Sequence, residues 1–597
     1  MNYLRPTFLL LVSALFLVAC QSDQSSQPSM VTEPASSATE TQVAFDNFSQ
    51  EFIEAMLAHS PEWAIYQGRY ENAGTMTLPT PAQRASNLDF LTTWLEALQV
   101  FDPADLTDAQ QSDYALLENT LNARLWYQQD FRSWQWNPAS YNPARTIAVL
   151  LNTDFAPVED RLRLVMSRLE SVPAYYEAAR QNIDRPTTEH LDLAIVQSNG
   201  AFSVLNDALI ERARASELSA TEKAEFEQYH TAATAAIKGW IDYLATLSEQ
   251  WAGRDDVRSF RIGEALYEKK FAYDIQSQFT ARALYERALN EKEQLLIEMD
   301  EITIDLWPKY FSGTSIPADR FERIGMLIDH LSDQHVALED FVPEIRRQIP
   351  LLAEFVREND LLFQDPEKPL VVRETPLYMR GTGAIASVSS PGPFNPGAET
   401  YYNITPLEHY GPEAAASYLR EYNHWILQIL NIHEAIPGHY TQLLHSNLSP
   451  SLVKSLFGNG AMIEGWAVYS ERMMLEEGWG DHEPELWLMH GKWLLRVVHN
   501  AILDYEVQVL GRGRDEIIAM LQNEAFQETS EATQKWRRAT LSQVQLTSYY
   551  TGYAEIYALR EQMKANLGDE FNLRDWHNEF LSYGSAPVPV IARLMNQ

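Results

Sequence analysis

Two histidines and a glutamate fall within seven residues at His433-Glu434-Ala435-Ile436-Pro437-Gly438-His439. A neutral imidazole is a good zinc ligand, and a carboxylate beside the first ligand can accept a proton from water that the metal has made acidic. That is the chemistry of a zinc hydrolase, with Glu434 as the general base. The spacing is unusual, because H-E-x-x-H sets its histidines four apart on one helix face, whereas His433 and His439 stand six apart. On an ideal helix six residues turn through about 240°. Pro437 removes the amide that would bond the His433 carbonyl, so a widening or kink is expected there, returning His439 to the metal-facing side.

A third ligand has to come from a later helix, and the candidate is Glu464 in Ala461-Met462-Ile463-Glu464-Gly465-Trp466-Ala467-Val468-Tyr469-Ser470-Glu471. An acidic side chain in such an apolar stretch is costly to bury unless it is paired or binds a metal. Glu471 lies seven residues on, nearly on the same helix face, and is placed to hydrogen-bond a ligand histidine. The competing reading pairs both carboxylates with arginines such as Arg472 or Arg496. Two histidines and one carboxylate hold one zinc ion, and suit cobalt or manganese too.

These side chains need a rigid frame, and most of the chain reads as helix. Ala220 to Leu247 and Ala281 to Met299 repeat apolar residues at three- and four-residue intervals, so a mainly α, multi-helix body is expected. Pro173, Pro186, Pro308 and Pro317 mark breaks between helices. A helical stretch from Ala414 to Leu430 runs on into the His433 motif. Ahead of it, from Pro369 to Pro406, short β-branched and aromatic runs at Leu370 to Val372, Ile385 to Val388 and Thr400 to Thr405 alternate with Gly- and Pro-rich turns. They predict a small antiparallel sheet beside the active-site helix, with an edge that an extended peptide can join.

The N-terminus reads as an export signal. Thr7 to Ala19 is an apolar run of 13 residues behind Arg5, too short to span a membrane as a helix. It ends at Cys20, the only cysteine. Leu17-Val18-Ala19-Cys20 resembles the lipobox of bacterial lipoproteins, which implies a signal peptide over residues 1–20, lipidation of Cys20 and a lipid anchor in the membrane. Gln21 in the following position implies outer-membrane sorting, facing the periplasm. Residues 21–41, rich in Ser, Gln, Thr and Pro, read as a disordered tether. Beyond it come a helical N-terminal part, residues 42–368, and a catalytic part, residues 369–597, within a length that allows three or four domain equivalents. With 82 acidic and 46 basic residues the net charge is −36, which argues against nucleic acid or anionic lipid as a partner of the folded body.

HEAIPGHYTQ (His433 to Gln442), EGWAVYSE (Glu464 to Glu471) and the stretch from Lys535 to Arg560 together resemble the bacterial DUF885 proteins, which group with gluzincin-type metallopeptidases. The resemblance runs from about Phe45 to the C-terminus and is strongest after Pro369. It implies a helical body with a deep cleft, zinc bound by His433, His439 and Glu464, Glu434 as base, and hydrolysis of a peptide substrate. Glu471 and Gln442 are then the residues that steady the ligands. Tyr549, in a Y-x-x-G element, suits a phenol donating to the oxyanion, with Tyr550 and Tyr553 as competitors. Arg496, Arg538 and Arg560 are candidates to grip a substrate carboxylate, as in a carboxypeptidase or dipeptidase, or else to form structural salt bridges. One departure stands out: Gln508 replaces a histidine that many members carry in a D-x-x-x-H element. The alternatives to an envelope peptidase are a noncatalytic lipoprotein that captures peptides or acts as a scaffold, and a metal hydrolase of another amide or ester.

Overall fold

The computed structural model describes residues 39–596 apart from 369, 377–384, 391, 396–398 and 450. Cys20, the signal segment and the tether up to residue 38 lie outside the described residues. The periodic stretches form long helices: Ala220–Trp251, started by a Ser219–Glu222 capping box, and Ala281–Tyr310, capped by Thr280. Pro173 and Pro308 do not break helices as expected. Each sits inside one, Val158–Asn182 and Ala281–Tyr310, where burial of the surrounding apolar face outweighs one lost hydrogen bond. No helix among the described residues is long and apolar enough to cross a membrane.

Two large hydrophobic cores organise the body, with a small third cluster at Trp126, Phe131 and Trp136. One lies between Val158–Asn182 and Ala220–Trp251, where Leu162, Val165, Leu169 and Tyr176 meet Phe226, Ile237 and Trp240. The larger surrounds Gly460–Glu476 and Pro484–Tyr505, helices buried on nearly every face. The first helix, Glu40–His59, joins this larger core, with the Phe52 ring tilted against Phe457 at 5.9 Å between centroids. Thr41 to Gln597 is one compact unit, which holds both the helical N-terminal part and the catalytic part.

The three strand segments are β1 (Leu370–Glu374), β2 (Ala386–Ser389) and β3 (Thr400–Ile404). Their sheet is mixed, not purely antiparallel. The order is β1-β3-β2, with β1 parallel to β3 and β2 antiparallel to it. Parallel neighbours need a connection of a dozen or more residues, and the segment from 375 to 399, which contains β2, supplies it. The sheet does lie beside the His433 helix: the Tyr402 hydroxyl donates to Asn431 Oδ1 at 2.9 Å.

Candidate metal centre

The stretch from Ala414 to Leu430 is two helices, Pro412–Glu421 and His424–Glu434. Asn423 starts the second by accepting from the amides of Trp425 and Ile426, which is the competition with helix continuation that an asparagine side chain offers. His433 and Glu434 occupy the last turn. The helix then stops rather than kinking: Ala435 leaves helical geometry, the Ile436–Pro437 peptide is cis, and a new helix, His439–Leu448, begins at the second histidine. Both histidines therefore face one point although no single helix could present them so. Gly438 permits the tight return, its amide bonding the Ile432 carbonyl at 3.0 Å while a Cβ there would lie 1.9 Å from the His433 oxygen. Trp466 anchors the turn, its indole donating to the Pro437 carbonyl at 2.9 Å.

Glu464 enters from the helix Gly460–Glu476, which Asn459 caps. Its Oε2 lies 3.3 Å from His439 Nε2 and 3.9 Å from His433 Nε2, and the three ligand atoms all fall within 4.8 Å of one another. Ligand atoms held around a tetrahedral zinc at ordinary bond lengths stand about 3.4 Å apart, so the triad fits a single ion with little movement. Among the described residues neither Glu464 nor Glu471 forms an ion pair with an arginine. Arg472 is taken by Glu476, and Arg496 by Glu531 and Glu421.

Glu471 is completely buried and accepts from two donors on Oε1, His433 Nδ1 at 2.6 Å and Trp493 Nε1 at 3.0 Å. An indole N–H can only donate, so Oε1 accepts from Trp493; when Glu471 is ionised Nδ1 donates to it as well, and Nε2 turns its lone pair toward Glu464 and His439. Burial, then His439, pushes the His433 pKa down to about 3, which keeps the imidazole neutral and able to ligate. Burial opposes a charge on His439 as well, yet the adjoining Glu464 carboxylate raises its pKa overall. Burial also lifts Glu434 to about 7, and its carboxylate has no hydrogen-bond or ion-pair partner among the described residues.

The Gly460–Glu476 helix crosses Ser548–Leu567 at two glycines, Gly465 and Gly552. This contact brings Tyr549 into the electrostatic reach of Glu464, half-buried, with its hydroxyl accepting from Arg538 Nη2 at 3.0 Å. The other candidates lie elsewhere. Tyr550 is fully buried and turned toward Glu291 and Arg287, about a hundred degrees round the same helix. Tyr553 accepts from Arg472. Arg560 is buried and bound to Glu476 at 2.7 Å, a structural ion pair and not a substrate grip. Gln442 does not touch the ligands either: it donates to Ser585 Oγ at 2.7 Å, tying its helix to the C-terminal segment. Gln508 is a buried clamp that donates to the Ala539 carbonyl and accepts from the Ile262 amide, so its side chain serves the fold.

Trp466 and Trp493 went unread in the sequence. Trp466 stands inside the EGWAVYSE motif, and a buried indole in need of an acceptor was the available signal.

The chain matches the family described as bacterial protein of unknown function (DUF885) over residues 61–595. It belongs to the DUF885 family. A solved structure of a candidate lipoprotein of unknown function from Shewanella oneidensis is 53% identical, with a TM-score of 0.86 and coverage of 93% of this chain and 100% of that one. A second, a candidate lipoprotein from Colwellia psychrerythraea, is 16% identical with a TM-score of 0.76 over 93% of this chain and 98% of the other, and shows that the fold is shared. No curated protein matches.

Proposed function

We propose that this DUF885 protein is a zinc-dependent peptidase of the bacterial cell envelope. The observation that carries the reading is the meeting of His433, His439 and Glu464 around one point, beside a Glu434 carboxylate that has no partner among the described residues. A site needed only to hold a metal has no use for a base next to its ligand. The gluzincin-like arrangement of the motif supports the same class.

Zinc at the triad would supply the Lewis acidity that makes water nucleophilic near neutral pH and polarises a peptide carbonyl. Glu434 takes the proton from the attacking water and passes it to the departing amine. Tyr549, held by Arg538, donates a hydrogen bond to the oxygen that becomes negative. Glu471 and Trp493 hold the His433 ring in one orientation. The sheet beside the His433 helix offers its edge strands to an extended substrate.

Lipidation at Cys20 places the body on the outer membrane facing the periplasm. The likeness to candidate lipoproteins supports an envelope location.

The test is a mixed-peptide digest read by mass spectrometry before and after metal removal. Cleavage that chelation abolishes and added zinc restores is expected; no cleavage with a full complement of zinc would point to peptide capture without catalysis.

A further inference from the structure

Beside the metal centre, two helices bring four cations together. Lys492 and Arg496 stand on Pro484–Tyr505, and Lys535 and Arg538 on Thr529–Ser542. Two carboxylates pair with them. Glu421 lies 2.9 Å from Lys492 and 3.6 Å from Arg496, and Glu531 lies 2.7 Å from Arg496 and 3.8 Å from Lys535. Arg538 makes no ion pair among the described residues; it donates to Gln545 at 2.6 Å and to the Tyr549 hydroxyl at 3.0 Å. Three other acids lie within electrostatic reach but are committed. Glu464 faces the histidines, Glu471 serves His433 and Trp493, and Asp504 accepts from Tyr267 at 2.6 Å.

Of the four, Arg538 has no ion pair among the described residues, and Lys535 reaches its carboxylate only at 3.8 Å. Lys535 is only 5% exposed and makes no hydrogen bond among the described residues, and Arg496 Nη1 is buried without one. A buried ammonium with one 3.8 Å ion pair and no hydrogen bond among the described residues is costly, and a further anion would relieve that cost. A group that arrives with the substrate can do so.

We propose that Lys535, Arg496 and Arg538 form a subsite for the C-terminal carboxylate of a peptide bound at the His433–His439–Glu464 centre, so that the protein trims peptides from their C-terminal end. The proposal rests on the peptidase reading and narrows its substrates. Arg538 links the two places, since its guanidinium touches Tyr549 on the reaction side and shares its helix with Lys535 on the other. One extended residue spans about 3.5 Å, the order of separation expected between a carbonyl near Tyr549 and a terminal carboxylate beside Arg538. Burial, then Arg496, holds the Lys535 pKa well below its ordinary value, and a bound carboxylate would restore its charge.

The test compares N-acetyl-alanyl-phenylalanine with its C-terminal amide. Calorimetry on the metal-depleted full chain should show the acid binding about tenfold or more tightly than the amide, a preference that Lys535→Met removes and Lys535→Arg retains. Equal affinity for acid and amide, or no binding of either, would overturn the subsite. With the zinc-loaded protein, kcat/KM should favour the acid by a similar factor. Cleavage without that preference would sink the subsite and leave the peptidase standing, whereas acid-selective binding without any cleavage would sink the peptidase and leave the subsite.

Discussion

Gly465 and Gly552 meet where the Glu464 helix crosses the Tyr549 helix: a Cβ on Gly465 would lie 2.3 Å from Gly552 Cα, and one on Gly552 would lie 1.7 Å from the Ala461 carbonyl oxygen. Only hydrogens fit there, and the contact fixes the reach from Glu464 to Tyr549. Alanine at Gly552 gains about 1 kcal/mol of helix propensity but forces backbone apart, which costs about 3 kcal/mol or more. Gly552→Ala should therefore lower the denaturant midpoint and reduce turnover, with zinc still bound. An unchanged or raised midpoint would mean that the helices do not cross so closely.

Glu471 fixes the His433 ring without touching a metal. Glu471→Ala should weaken zinc binding about 10- to 100-fold, measured by competition with a chelator. Trp493→Phe, which removes one of the two donors to Glu471, should weaken it less. Equal affinity in wild type and Glu471→Ala would show that the pair does not steady the ligand.

Buried histidines make stability depend on pH. Burial pushes His577 and His490 down to about 3 and His499 to about 4, against an ordinary value of 6.5. Between these values the unfolded chain binds protons that the folded chain refuses. Their contribution is thus complete above pH 6.5 and is lost as the pH falls below it, by up to about 1.4 kcal/mol per pH unit for each group. His577 sits between the Tyr469 hydroxyl and the Leu361 carbonyl, both at 2.7 Å. Urea midpoints from pH 7 to pH 5 should fall in the wild type and fall less steeply in His577→Gln. Parallel slopes would remove His577 from this account.

Lipidation is tested by fractionation. The wild type should partition with membranes, and Cys20→Ser should appear in the soluble periplasmic fraction. A variant that stays with the membrane would exclude an anchor at Cys20.

The sequence showed the site more fully than the path to it. His433, Glu434, His439 and Glu464 could be read from residue type and spacing, and Glu471 from its seven-residue offset, because a helix repeats its face at that interval. The return of His439 was read as a kink, whereas the chain ends one helix and starts another. Proline and glycine signal a break without saying which of the two it will be. Gln442, Tyr550 and Arg560 sit in or near the shared motifs, but their partners, Ser585, Glu291 with Arg287, and Glu476, are set by tertiary packing that local pattern does not encode. The mixed sheet has the same origin: strand runs are local, and the pairing of β1 with β3 is not.

The central claim is that the triad binds a metal and Glu434 performs the proton transfer. Elemental analysis and peptide cleavage should be measured together on the wild type, Glu434→Gln and His433→Ala. The account predicts about one zinc per chain in the wild type and in Glu434→Gln, with cleavage only in the wild type, and neither metal nor cleavage in His433→Ala. Full cleavage by Glu434→Gln, or equal loss of zinc in both variants, would contradict it.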